Sequence, residues 1–116
     1  MEIEELRAFC LSMPGTTEDM KWGDNLTFMV HEKIFALFSL DATPIQGTFK
    51  VSQDEFDKLI ERVGFYQAPY FAKRQWVRLG DLSLLSPDEW KVHLAQAYEL
   101  IKAKLPKKIQ AQLTNQ

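Results

Sequence analysis

Cysteine and histidine are scarce in this sequence of 116 residues, and their scarcity excludes several kinds of site. The single cysteine, Cys10, cannot form a disulfide within the chain, which is typical of proteins in a reducing compartment. The two histidines, His31 and His93, are far apart and show no spacing typical of a catalytic triad or a metal site. The five glycines are scattered, so no glycine-rich phosphate loop is present. We therefore expect no cofactor, no metal and no catalytic residues, and predict that the protein is not an enzyme.

Long apolar runs are also missing. No stretch approaches the ~18 apolar residues of a membrane span, and the acidic, amphipathic start of the chain does not resemble a signal or transit peptide. The length suits one domain over residues 1–116, with a core large enough to fold without disulfides. The sequence thus predicts a single-domain, cytoplasmic protein that does not associate with a membrane.

An excess of positive charge, which is common in nucleic-acid-binding proteins, is absent because the net charge is −2. The bases are nevertheless unevenly distributed. Residues 66–80 and 102–116 contain seven bases and no acid, whereas the other residues contain seven bases and all 16 acids. An anionic partner is therefore expected to bind only at a local basic patch.

Three segments have the apolar spacing of amphipathic helices. The first carries Cys10 on its apolar stripe, which predicts a buried thiol, and ends at Pro14-Gly15. The second and third begin with the capping boxes Ser52-Gln53-Asp54-Glu55 and Ser86-Pro87-Asp88-Glu89. Trp90 lies on the stripe of the third helix and is expected in the core. Pro106 ends or kinks that helix, and a short helix can follow it.

Between the first and second helices the apolar period changes to two, which is typical of strands. Residues 26–30, 34–40 and 48–51 alternate in this way, with Ile34, Ala36 and Phe38 expected on one face. The middle strand is apolar on both faces and is therefore expected at the centre of the sheet. Residues 75–79 are expected to be extended as well. Grouped strands favour antiparallel pairing. The predicted fold is α+β in two layers, with helices packed on one face of the sheet, in the order helix, three or four strands, helix, one or two strands, helix.

The most informative segment for function is residues 66–79, in which aromatic and basic residues alternate without any acid. Such a surface can stack bases and neutralise phosphates. The candidate nucleic-acid contacts in it are Lys73, Arg74 and Arg78 for phosphate, and Tyr70 and Trp76 for stacking. The alternative, which these residues taken alone favour, is a buried Pro-Tyr-Phe loop that anchors the sheet while the basic side chains extend to water.

A second candidate segment is Lys21-Trp22-Gly23, in which Lys21 is a candidate phosphate contact. We expect Trp22 to be part of the core rather than a binding platform. Lys33 and Lys50 are, like Lys21, weaker candidates for phosphate contact. The lysines near the C-terminus are explained without a partner, because they suit the negative pole of the last helix. They are Lys102, Lys104, Lys107 and Lys108.

Several short motifs together resemble the MmcQ/YjbR-like family of small bacterial proteins. They occur in order over nearly the whole chain: Leu11-Ser12-Met13-Pro14-Gly15, Lys21-Trp22-Gly23, Leu26-Thr27-Phe28-Met29-Val30, Lys33-Ile34-Phe35-Ala36, Pro69-Tyr70, Trp76-Val77-Arg78-Leu79 and Leu105-Pro106-Lys107-Lys108. The resemblance implies a two-layer α+β fold similar to that of frataxin and of type III secretion chaperones. Members of the family are described as DNA-binding proteins with two β-hairpin wings, and no activity, cofactor or catalytic residue is implied.

These observations lead to two hypotheses for the function. The first is a non-enzymatic, cytosolic module that binds DNA through a local basic patch. The alternative is a protein-binding or chaperone-like adaptor that uses an exposed sheet face or edge. A continuous basic face would favour the first, and an exposed apolar patch would favour the second.

Overall fold

The computed structural model describes residues 1–114, so the last two residues of the predicted domain lie outside the described part. Its helices are α1 (Ile3–Ser12), α2 (Gln53–Leu59), α3 (Pro87–Lys102) and α4 (Lys107–Thr114), and a short 3-10 helix covers Leu82–Leu84. Its strands are β1 (Thr16–Lys21), β2 (Asn25–Val30), β3 (Lys33–Ser39), β4 (Gln46–Lys50), β5 (Phe65–Gln67) and β6 (Trp76–Leu79).

The six strands form one antiparallel sheet in the order β1-β2-β3-β4-β6-β5. Helix α3 lies across β2, β3 and β4, while α1 packs on β1 and α3, and α2 packs near β6. This arrangement confirms the predicted α+β fold, with four strands before α2 and two after it. The mostly polar β1 is an edge strand, which explains why the apolar alternation does not extend to it.

The core lies between the sheet and α3, and Trp90 is at its centre. The indole is fully buried, its ring centroid is 5.7 Å from those of Phe38 and Phe49, and its Nε1 donates to Leu82 O at 2.8 Å. The expected burial of Trp90 is therefore confirmed. Cys10 is also fully buried, as expected, and this burial raises the pKa of its thiol to about 12.

The two predicted capping boxes differ in the structure. At the start of α3, Ser86 Oγ accepts from Glu89 N and the Glu89 carboxylate accepts from Ser86 N, so the reciprocal pair is complete. At the start of α2, Ser52 Oγ accepts from Glu55 N, but the Glu55 carboxylate lies 3.8 Å from Lys58 Nζ instead of closing the box. The serine cap is therefore confirmed at both helices, and of these two helices α3 has the reciprocal bond.

The middle strand contains a β-bulge that the alternation did not predict. Phe28 pairs with Ala36 but Met29 pairs with Ile34, so Phe35 is an extra residue in β3. Phe35 is fully buried on the helix side, 5.7 Å from the ring of Tyr98. The expectation that Ile34 shares a face with Ala36 and Phe38 is wrong, because one extra residue reverses the alternation beyond it.

The chain after α3 agrees with the expectation in its helices and differs at two lysines. Pro106 follows the end of α3, and a short helix, α4, begins immediately afterwards at Lys107, as predicted. Lys102 is in the last turn of α3, where the negative pole suits it. The same explanation is wrong for Lys107 and Lys108, because they occupy the first turn of α4 at its positive pole.

Within residues 1–114, no helix combines the length and the apolar character needed to cross a bilayer. The same residues contain no group of three or more His, Cys, Asp or Glu side chains placed to hold a metal ion.

Candidate functional site

The sheet face turned away from the helices, which we call the open face, carries a groove of about 680 Å³. Its floor is formed by side chains from four neighbouring strands, namely Asn25, Leu37, Ser39, Gln46 and Arg78. Three connections form its walls: the β1–β2 turn with Trp22, the β3–β4 loop with Asp41 and Ala42, and the β5–β6 loop with Pro69, Tyr70 and Phe71. The groove therefore lies among three strand connections that project from the sheet.

Trp22 stands at the tip of the β1–β2 turn, and 68% of its surface is exposed. Its φ of 48° is in the left-handed region, which is strained for a residue with a bulky side chain. The Asn25 side chain holds this conformation by donating from Nδ2 to Trp22 O at 2.9 Å. The expectation that Trp22 belongs to the core is wrong, because the turn directs the indole into the groove wall instead of toward α3.

Tyr70 stands on the opposite side of the groove and is fully exposed, with a φ of 69°. The Gln67 side chain organises its loop from inside. Gln67 Nε2 donates to Ala68 O at 2.8 Å and to Phe71 O at 3.3 Å, and Gln67 Oε1 accepts from Arg74 N at 2.9 Å. The alternative of a buried Pro-Tyr-Phe loop is therefore wrong for Tyr70, which this ordered loop presents to solvent.

Two further contacts fix the β5–β6 loop to the body of the protein. The ring of Phe71 covers that of Trp76, with centroids 4.6 Å apart. Arg74 pairs with Asp57 of α2 at 2.8 Å, and both side chains are about half exposed. Because of these contacts, Trp76 is only 8% exposed and has its face covered by Phe71, and the charge of Arg74 is balanced by a carboxylate.

Arg78 is the base in the groove floor. Its Nε donates to Thr48 Oγ1 at 3.0 Å, which holds the guanidinium on the open face between β4 and β6. The two terminal nitrogens of the guanidinium have no hydrogen-bond partner among the described residues. Asp41 lines the same groove, so its lining has one base and one acid.

The structure separates the six residues predicted from sequence as nucleic-acid contacts. It brings Tyr70 and Arg78 together in one groove. Lys21 lies at the end of β1, 3.8 Å from Asp19, and Lys73 is exposed on the β5–β6 loop. Arg74 and Trp76 support the loop in the ways described above. The weaker candidates Lys33 and Lys50 lie at the opposite ends of β3 and β4 from the groove.

Sequence reasoning did not identify the polar floor of the groove. Asn25 and Ser39 are paired across β2 and β3, and Ser39 Oγ donates to Asn25 Oδ1 at 2.8 Å. The available signal was their position, since each of them is the terminal residue of a mostly apolar strand. Nothing in the sequence indicates that these residues and Gln46 share one face with Arg78, because that depends on strand order and register.

The fold and the groove define a small α+β protein with helices on one face of a six-stranded antiparallel sheet and a site on the other. The family model described as YjbR matches residues 11–100. The chain therefore belongs to the YjbR family, which confirms the resemblance seen in the sequence.

Two solved structures share this fold. A Deinococcus radiodurans protein described by the domain DUF419 superposes with a TM-score of 0.86 at 20% identity, covering 97% of this chain and 87% of that one. A Pseudomonas syringae protein gives a TM-score of 0.72 at 19% identity, covering 86% of this chain and 98% of that one. No curated protein matches the chain.

Proposed function

We propose that this protein is a non-enzymatic DNA-binding module whose groove accepts unstacked bases of a single-stranded segment. The observation that carries this proposal is the pair Trp22 and Tyr70. Both are large aromatic residues, both are exposed, and both are held in left-handed backbone conformations on two sides of one groove. Strained backbone conformations are found most often at functional sites. Packing does not account for the strain here, because both side chains are exposed.

The size and lining of the groove favour bases over a duplex. A volume of about 680 Å³ is within the range of sites for small molecules and cofactors. Bases in a duplex are stacked on one another, whereas unpaired bases offer their faces to aromatic side chains. Each such base contributes roughly 1–3 kcal/mol to binding. Trp22 and Tyr70 are the platforms for this stacking.

The electrostatics of the groove agree with binding that depends more on stacking than on charge. Arg78 is the one base in its lining, and its terminal nitrogens are placed to donate to a phosphate or to a base edge. Lys73 and Lys21 add positive charge on the flanking hairpins. A protein with a net charge of −2 that uses so few cations should bind with a shallow salt dependence.

The test is a titration of the protein with fluorescein-labelled oligothymidine and, in parallel, with a duplex of the same length. Trp22 is the exposed tryptophan of the three, so single-stranded DNA should quench the protein fluorescence. Trp22→Ala and Tyr70→Ala should each weaken binding by roughly 5- to 150-fold. The control is Tyr66→Ala, because Tyr66 is a partly exposed aromatic on the same sheet face outside the groove lining.

Arg78→Ala should also weaken binding and make the log–log salt slope shallower by about 0.7, the value for one phosphate on a single strand. The proposal fails if wild type and Trp22→Ala bind oligothymidine equally well. Tighter binding to the duplex would retain DNA as the ligand and overturn the single-stranded preference.

The adaptor hypothesis has one observation in its favour, the free edge of β1. This strand has six residues, pairs only with β2, and exposes nearly half of Met20. A peptide could add to such an edge as a further strand. Glu18 and Asp19 in the same strand discourage pairing, as charged residues on edge strands commonly do. Two results together would favour the adaptor hypothesis: wild type does not bind oligothymidine, and Met20→Pro loses binding to a peptide that wild type binds.

A further inference from the structure

At the other end of the sheet from the groove, Lys50 is a buried residue whose ammonium group has no counter-ion among residues 1–114. Lys50 is the last residue of β4 and is 5% exposed. Its Nζ donates to Gln75 Oε1 and lies 5.8 Å from the centre of the Trp76 ring. None of the ion pairs within residues 1–114 includes Lys50. A buried charge without an opposite charge is unfavourable unless something else compensates it.

A second lysine makes this environment more positive. Lys104, from the turn after α3, lies next to Lys50 although the two residues are far apart in the sequence. Burial, and then the charge and proximity of Lys104, lower the pKa of Lys50 to about 8. Two like charges held together repel each other, whereas an anion bound between them would be attracted by both.

These lysines adjoin a cavity of about 540 Å³. Its apolar and aromatic lining comes from Ile34, Phe71, Trp76, Ile101 and Leu105, and its charged lining from Glu32, Lys33 and Lys104. Lys50 lies next to two of these residues, Trp76 and Lys104. Glu32, at the tip of the β2–β3 turn, is exposed and forms no ion pair with these lysines. The cavity thus combines an apolar body with a charged lining of two lysines and one glutamate, and Lys104 of this lining lies next to Lys50.

We propose that this cavity binds a small aromatic or apolar anion, with its body against Ile34 and Phe71 and its carboxylate or phosphate held by Lys104 and, beside the cavity, by Lys50. The site shares Phe71 with the groove but has its own charged residues, and it does not depend on DNA binding. A carboxylate and a phosphate each have oxygen atoms that can accept hydrogen bonds from two neighbouring ammonium groups. A bound anion would provide the counter-ion that Lys50 lacks.

The experiment uses calorimetric titration of the whole chain with phenyl phosphate and, separately, with benzoate. Binding by phenyl phosphate alone indicates a phosphate ligand, and binding by benzoate alone indicates a carboxylate. Affinity should fall as the pH rises through about 8, where Lys50 loses its proton. In wild type, the bound anion should raise the pKa of the Lys50 amine, as measured by NMR of the Nζ group, because it stabilises the charged form.

Lys104→Met should weaken binding by about tenfold or more, and Lys50→Met by at least as much. Lys104 is exposed, so its replacement leaves the fold intact even if Lys50→Met does not fold. The matched control is Lys102→Met, because Lys102 Nζ instead donates to Thr114 Oγ1 at 3.2 Å. Trp22→Ala should bind the probes like wild type, which separates this site from the groove. No binding of either probe at about 10 mM, or equal binding by Lys104→Met and wild type, would overturn the proposal.

Discussion

The helix side of the sheet buries side chains that are almost all apolar, whereas the open face buries Thr27, Thr48 and Lys50 and is flanked by the exposed rings of Trp22 and Tyr70. On the helix side, the ring of Trp90 packs against two phenylalanine rings and its N–H donates a hydrogen bond. On the open face, the two most exposed aromatics occupy strained backbone conformations and pack against little. The comparison indicates that one face contributes stability and that the other holds exposed aromatic groups in fixed positions, as the proposed function requires.

The largest effect that this comparison predicts is at Trp90. Trp90→Ala removes a fully buried indole in contact with Phe38 and Phe49, and should lower the free energy of unfolding by roughly 3–5 kcal/mol. Urea unfolding followed by circular dichroism measures this loss. Trp22→Ala provides the contrast, since it should change the unfolding free energy by well under 1 kcal/mol. Equal losses in the two variants would contradict the division between the faces.

A smaller effect is expected at Gln67, which holds the β5–β6 loop without lining the groove. Gln67→Ala removes the acceptor for Arg74 N and the donor to Ala68 O, and should destabilise the protein by roughly 1–3 kcal/mol. It should also increase hydrogen exchange at the amides of residues 69–74 and weaken oligothymidine binding. Gln67→Glu keeps the acceptor and should give an intermediate result. Unchanged exchange in Gln67→Ala would show that the loop does not depend on this side chain.

The sequence predicts the helix side more completely than the open face. Apolar periodicity and caps are local signals, and they identified α1, α2, α3 and the burial of Trp90. The positions of Trp22 and Tyr70 depend on left-handed φ angles at residues that seldom adopt them, so pattern and propensity indicated burial instead. The bulge at Phe35 and the pairing of Arg78 with Thr48 depend on register between distant segments, which apolar spacing does not encode.

The strain at Trp22 can be measured by two variants that remove the same ring. At a φ of 48°, alanine retains the unfavourable contact of its Cβ, whereas glycine adopts this conformation freely. We expect Trp22→Gly to be more stable than Trp22→Ala by roughly 1 kcal/mol in urea unfolding, while both lose oligothymidine binding to the same extent. If Trp22→Ala is the more stable variant, the left-handed conformation is not a source of strain in the folded protein.

The smallest effect concerns His93 in α3, which packs against the core. Its buried Nδ1 has no hydrogen-bond partner among the described residues. Its ring stacks on Phe49 with centroids 5.4 Å apart. Burial lowers the pKa of His93, and Arg62 lowers it further, while Glu55 and Glu89 oppose the change. The unfolded chain therefore binds a proton at His93 more readily than the folded protein does. The contribution of neutral His93 to stability is fully present above the ordinary histidine pKa of about 6.5, and it is lost as the pH decreases through the lower pKa of the folded protein. We expect wild type to lose stability between pH 7.5 and pH 5 and His93→Gln to lose less over the same range, as measured by urea unfolding at both pH values. Glutamine does not titrate, so the difference between the two proteins in how stability changes with pH isolates His93 from the carboxylates. If stability changes equally with pH in both, the imidazole of His93 is as easily protonated in the folded protein as in the unfolded chain.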